Sequence, residues 1–209
     1  MKMDIARGLI EKGCVKLSPQ NPFTYASGLR GPVYCDNRLI LSHVDFREKI
    51  IQSFLDVIKK DSLQFDLIGG IATAGIPYAA FIADRLKLPM VYVRPKAKEH
   101  GKKNQVEGDY RPNQSVILVE DLVNQGSSLA EAMSGVRDAG LFSTQCLCIV
   151  DYQMSEAKKR LKELSLSLIS LTDFDHLIQA ALEMKLIDSE GKKLLIDWHA
   201  DPKEWSRVF

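Results

Sequence analysis

The chain is poor in the features that would assign it to a special environment. It has only four cysteines, Cys14, Cys35, Cys146 and Cys148, with no CxxC pair and no Cys/His group at zinc-ligand spacing, so neither a disulfide scaffold nor a zinc site is expected. No run of roughly 18 apolar residues occurs, which excludes a membrane-spanning helix. Met1 to Lys12 mixes charges with apolar residues at helical spacing and has no h-region, so no signal peptide is expected and a cytoplasmic location follows by default. Formal net charge is only +1, too little to hold nucleic acid or an anionic membrane by its overall field. Any anion must be bound by a local cluster. There is no internal repeat, no low-complexity segment and no GxGxxG fingerprint. Gly70 and Gly75 have P-loop spacing, but Ile76-Pro77 stands where Lys-Ser/Thr is required. ATPase and dinucleotide readings are weak.

What is present is an ordinary globular composition, 45% hydrophobic and 26% charged over 209 residues. Phe46, Ile50, Ile51, Phe54, Leu55 and Ile58 repeat at three- and four-residue intervals, which predicts an amphipathic helix. Strand-like runs follow at 66–71, 90–93, 116–119, 145–150 and 166–171, with helical stretches at 76–86, 128–139 and 155–164. Strands nearly continuous in Val, Ile and Leu, separated by helices, predict an α/β fold with a central, mostly parallel sheet covered on both faces. Two parts fall outside the alternation. Residues 1 to about 40 combine a first helix, capped by Asp4, with short extended pieces joined by turns. The tail from Thr172 reads as two short helices, around 173–185 and 191–199. Together they are expected to form a small hood on a single domain whose core spans about 45–171.

Three segments carry chemistry. In Val116-Ile-Leu-Val-Glu-Asp-Leu-Val-Asn-Gln-Gly-Ser-Ser128 an apolar strand runs into two adjacent carboxylates, Glu120 and Asp121, then a short loop and a helix. The unpaired N–H groups and positive dipole end at such a helix start suit a phosphate monoester. The carboxylates suit sugar hydroxyls or a metal ion one group away. The alternative is that Ser127 or Ser128 merely caps the helix. In 94–104, six of eleven residues are basic or His, a composition that suits a polyanion and a lid, or else a solvated loop. Gly69 to Pro77 joins a strand to a helix through small residues, either for ligand approach or for tight packing.

These segments in this order resemble the type I phosphoribosyltransferases, most closely their orotate-using branch. The resemblance rests on Phe23-Thr-Tyr-Ala-Ser-Gly28, Pro32-Val-Tyr-Cys-Asp-Asn-Arg38, Ala72-Thr-Ala-Gly-Ile-Pro77, Val93-Arg-Pro-Lys-Ala-Lys-Glu-His-Gly101, Asn104-Gln-Val-Glu-Gly108 and Glu120-Asp121. It covers nearly the full length. It implies an enzyme that transfers phosphoribosyl from phosphoribosyl diphosphate (PRPP) to orotate in pyrimidine synthesis, with Mg²⁺ held mainly through PRPP and no protein ligand assigned to it. Glu120 and Asp121 would serve the ribose hydroxyls, with Leu122 and Val123 leading into the loop. Asn124, Gln125, Gly126, Ser127 and Ser128 would cradle the 5′-phosphate. Arg94, Lys98 and His100 would bind diphosphate across a homodimer interface, Lys98 and His100 counting with the two carboxylates as catalytic. Ser27, Gly28, Tyr34, Cys35 and Asn124 would face orotate. The chain departs from the family at Ala26, Ala74 and Pro95, where many members carry Lys, and at Asn124, where Ser or Thr is common. No Arg stands near Asp151-Tyr-Gln153, where some members place one for orotate. A base other than orotate, or a regulator that keeps PRPP binding without catalysis, are the rival readings.

Overall fold

A computed structural model describes residues 1–95 and 105–208. The chain opens with α1 (Lys2–Glu11), in which Asp4 lies in the first turn and no side chain caps the helix. The helix therefore starts two residues before the expected Asp4 cap, because Met1 occupies the N-cap. Short strands follow: β1 (Val15–Leu17), β2 (Phe23–Thr24), β3 (Arg30–Gly31) and β4 (Val33–Cys35). β1 pairs antiparallel with β4, and β2 with β3. A 3-10 helix, Asn37–Ser42, was not evident in the sequence; Asp36 caps it by accepting from the Arg38 N–H.

The amphipathic helix α2 (Val44–Lys60) carries Asp45 in its first turn and Lys59 and Lys60 in its last, matching the helix dipole. Phe46, Ile50, Ile51, Phe54 and Ile58 are buried as the spacing predicts. Each contributes about 1.5–3 kcal/mol by leaving water. Then come β5 (Leu67–Ile71), α3 (Gly75–Leu86), β6 (Met90–Val93), β7 (Val106–Glu107), β8 (Val116–Val123), α4 (Ser127–Asp138), β9 (Gln145–Asp151), α5 (Ser155–Leu164) and β10 (Ser167–Asp173). The sheet order is β10-β9-β8-β5-β6-β7. β5 pairs parallel with β6 and β8, and β8 parallel with β9; β7 is antiparallel to β6. All five residues of β5 are buried, as are the inner residues of β9, the signature of a sheet covered on both faces.

β8 is longer than its apolar run. It continues through Glu120 and Asp121 to Val123 because β9 runs alongside, with Leu122 opposite Val150 and Val123 opposite Asp151. Backbone pairing overrides the polar side chains. The paired carboxylates therefore lie inside a strand and not after it.

The tail forms three helices instead of two: α6 (Phe174–Glu183), α7 (Ser189–Ala200) and α8 (Pro202–Val208). The extra helix starts at Pro202, whose fixed φ suits a first turn, and buries Trp205. The chain divides into two compact units, Met1–Phe46 with Thr172–Phe209, and Arg47–Leu171. Within the first, α1 packs on α6 and α8 on β3. Among the described residues no helix is long and apolar enough to cross a membrane.

Candidate active site

The sheet unit presents its chemistry where β8 turns into α4. Gly126 is the N-cap of α4, with φ 73°, and no side chain caps the helix. Ser127 and Ser128 are exposed, so the capping alternative for these serines does not hold, and the first N–H groups of α4 remain available to an anion. A polar cavity of about 170 Å³ is lined by Glu120, Leu122, Val123, Asn124, Gln125, Gly126, Ser127, Ser128 and Leu129. That is on the order of five or six water volumes, room for a phosphate group with some of its solvent. A second, smaller cleft of about 40 Å³ is bordered by Ile71, Ala72, Arg94, Pro95, Ser128 and Glu131. Ser128 lines both, so the ends of β5, β6 and β8 converge on one place, as expected at the carboxyl ends of parallel strands.

The two carboxylates are not equivalent. Glu120 is 7% exposed, and its Oε1 accepts from the Asp121 N–H at 3.0 Å. Burial, followed by the neighbouring charge of Asp121, pushes the Glu120 carboxyl up to about 9. This favours the protonated carboxyl, the form that can donate a hydrogen bond. Asp121 is half-buried. Opposite Glu120 in β9 lies Cys148; burial pushes the thiols of Cys146 and Cys148 well up, so both are inert packing groups.

Arg94 is half-exposed at the end of β6. Its N–H donates to the Gln105 carbonyl at 2.9 Å, and its guanidinium meets Glu107 at 3.5 Å. Glu107 is a partner the sequence did not suggest. Lys98 and His100 lie outside the described residues.

Gly70, in β5, and Gly75, at the start of α3, serve packing, while Ala72 between them borders the smaller cleft. A Cβ on Gly75 would sit 2.2 Å from the Val119 carbonyl oxygen, and one on Gly70 would sit 2.8 Å from Ile76 Cα. The helix start is pressed onto the sheet, which favours the packing alternative for Gly70 and Gly75. The Ala72–Thr73 peptide is cis.

The remaining predicted residues belong to the other unit. Ser27 and Gly28 form the tip of the β2–β3 turn, where the Gly28 N–H donates to the Tyr25 carbonyl and Gly28 has φ 82°. Tyr34 is 43% exposed beside Phe23, with ring centroids 5.8 Å apart, and Cys35 is half-buried. The structure thus gathers Arg94 and residues 120–128 in one unit, and Ser27, Gly28, Tyr34 and Cys35 in the other. Arg160 was missed. Its guanidinium donates to the Gln125 carbonyl, and nothing in the local Lys158-Lys159-Arg160 pattern distinguishes it from a solvated cation.

Comparison with known proteins completes the picture. The phosphoribosyl transferase domain matches residues 40–183. An orotate phosphoribosyltransferase of Coxiella burnetii is 44% identical over 97% of both chains. The crystal structure of orotate phosphoribosyltransferase from Aeropyrum pernix superposes with a TM-score of 0.71 at 28% identity, covering 87% of this chain and 99% of that one. An orotate phosphoribosyltransferase of Mycobacterium tuberculosis, solved in complex with PRPP, has the same fold, with a TM-score of 0.65 at 21% identity over 84% of this chain and 98% of that one. With a strand-to-helix loop behind paired carboxylates, on a chain alike to these enzymes almost from end to end, the chain belongs to the orotate phosphoribosyltransferase family.

Proposed function

We propose that the chain transfers the 5-phosphoribosyl group of PRPP to orotate, giving orotidine 5′-monophosphate and diphosphate in the de novo route to UMP. The observation that carries this reading is the uncapped start of α4 opening on a polar cavity beside Glu120 and Asp121, in a chain of this family.

In the transfer, the bond from the anomeric carbon to diphosphate breaks as the orotate ring nitrogen attacks and gives up its proton to the departing diphosphate. Positive charge builds on the ribose and negative charge on the leaving group. Asp121, placed at the sugar, stabilises the first. Glu120, whose burial favours the protonated form, donates to a ribose hydroxyl instead of adding charge. Asn124 to Ser128 hold the 5′-phosphate through backbone N–H groups and serine hydroxyls. Arg94, with Lys98 and His100 of the basic segment, receives the diphosphate. Its pairing with Glu107 is exchanged for that ligand.

Mg²⁺ fits this donor set. Among the described residues no cluster of three or more His, Cys, Asp or Glu could hold a metal. A hard dication that keeps its waters and binds through substrate phosphates and one carboxylate needs no such cluster. Asp121 would be that carboxylate, and the ion would neutralise diphosphate charge.

A steady-state assay with PRPP, Mg²⁺ and a panel of bases tests the reading. Orotate should be consumed only when PRPP and Mg²⁺ are both present. Turnover of hypoxanthine or guanine with none of orotate would overturn it. The protein should work as a homodimer with Lys98 completing the partner's site. Mixed Lys98→Ala and Asp121→Asn variants then regain activity on subunit exchange, because each hybrid carries one doubly defective site and one intact site. No recovery after proven exchange means that each subunit supplies its own basic segment.

A further inference from the structure

The phosphate loop has a support behind it. Arg160, on α5 and 35 positions from Gln125, donates through Nη1 to the Gln125 carbonyl. It is half-buried, and among the described residues no carboxylate forms an ion pair with it. One turn earlier on the same helix face lies Ala157. A Cβ on Gly126 would come within 3.4 Å of Ala157 Cα. α5 thus lies alongside Gly126, and its Arg160 holds the Gln125 carbonyl of the Gln125–Gly126 peptide.

That peptide is trans, so its carbonyl and its N–H point in opposite directions. With the Gln125 carbonyl held on the α5 side, the Gly126 N–H is turned away from α5. The polar cavity is lined by Glu120 and by residues 122–129, with no residue of α5 among them. The N–H thus faces the cavity side. Gly126 has φ 73°, a region where glycine accepts either orientation of the preceding peptide at little cost. The loop sequence alone does not choose between the orientations. A charged donor on the carbonyl also polarises the peptide, which makes its N–H a stronger donor.

We propose that Arg160 is a positioning residue of the phosphate loop: it holds the Gln125–Gly126 peptide so that the Gly126 N–H donates to the 5′-phosphate of PRPP. This rests on the phosphate-loop reading above. Arg160 itself touches backbone and not substrate.

Arg160→Ala should raise KM for PRPP by roughly 10- to 100-fold, the equivalent of one hydrogen bond made by a charged group. kcat at saturating PRPP should fall much less. Inorganic phosphate, used as a competitive probe against PRPP, should lose potency in parallel. Millimolar guanidinium should restore part of both, a response that a purely structural role would not give. Arg160→Lys should lie between wild type and Arg160→Ala. Should Arg160→Ala melt early, Arg160→Gln carries the same comparison in a folded chain. Ser127→Glu, which puts a carboxylate among the loop N–H groups, is run alongside. If Ser127→Glu raises KM for PRPP and weakens phosphate while the Arg160 variants change neither, the positioning role is overturned and the phosphate loop stands. If neither variant changes them, both fail together.

Discussion

The two units of this molecule are held together in different ways. The sheet unit is built on continuous apolar strands. β5, β8 and β9 are buried along nearly their whole length, and at Gly75 the start of α3 lies so close to the Val119 carbonyl that there is no room for a Cβ. The other unit joins the two ends of the chain through side chains. Lys2 reaches Asp173 at 2.8 Å across 171 positions, Arg7 pairs with Glu183, and the Arg30 N–H donates to Ser206 Oγ. In the first unit a strand's own composition assures its burial. In the second, each short element depends on a partner far away in sequence. The loop of residues 124–128 sits in the sheet unit.

This difference can be broken or sharpened. Asp121→Asn should separate chemistry from fold most clearly. kcat should fall on the order of 10²-fold or more, the scale of one preorganised electrostatic group, while the melting temperature holds. A near-normal kcat would show that Asp121 is solvated or structural. Gly75→Ala should strike the sheet unit itself. The added Cβ meets a carbonyl oxygen that cannot move alone, so about 3 kcal/mol of stability should be lost, roughly 6–12 °C in Tm. Hydrogen exchange should rise in β5 and β8 first.

Asp173→Ala should instead loosen the unit of the chain ends. The carboxylate is buried, caps α6 by accepting from the His176 N–H, and binds Lys2. Losing cap and ion pair should cost about 2 kcal/mol, with exchange rising in α1 and α6. Burial pushes the Asp173 carboxyl up, but hydrogen bonds from Lys2 and His176 outweigh it and hold it below the usual range. Its contribution is therefore present above about pH 4 and is lost as pH falls through the depressed value. In Asp173→Ala the acid limb of the stability profile should flatten.

Glu120→Gln should have the smallest effect on kcat at neutral pH, because Gln mimics the protonated acid. Its signature is in pH dependence. A carboxyl raised to about 9 binds its proton more tightly in the folded state, so stability from this group falls as pH rises from about 5 towards 9. In Glu120→Gln that slope should disappear, as read by denaturant unfolding across the range. An unchanged slope would mean that Glu120 is ionised when folded.

The alternation of strands and helices from 66 to 164 was legible because each segment's period is written into consecutive residues. α5 occupies the predicted 155–164, and β6 the predicted 90–93. The limits of legibility lie where a neighbour decides. β8 runs on through two carboxylates because β9 pairs with it. The 3-10 helix and α8 carry too few residues to show a period.

Sequence alone determined the fold class, the family and the strand–Glu–Asp–loop–helix order, since these depend on residue types at short spacing. Tertiary structure decided the rest. It buried Glu120, raising its carboxyl, and left Asp121 half-exposed, although the two are adjacent in the chain, because burial and neighbouring charge act on a carboxyl's protonation. It assigned Gly70 and Gly75 to packing, left the α4 start uncapped, and placed Arg160 behind Gln125. Each of these depends on which distant atoms come within a few ångströms, and that information exists only once the chain has folded.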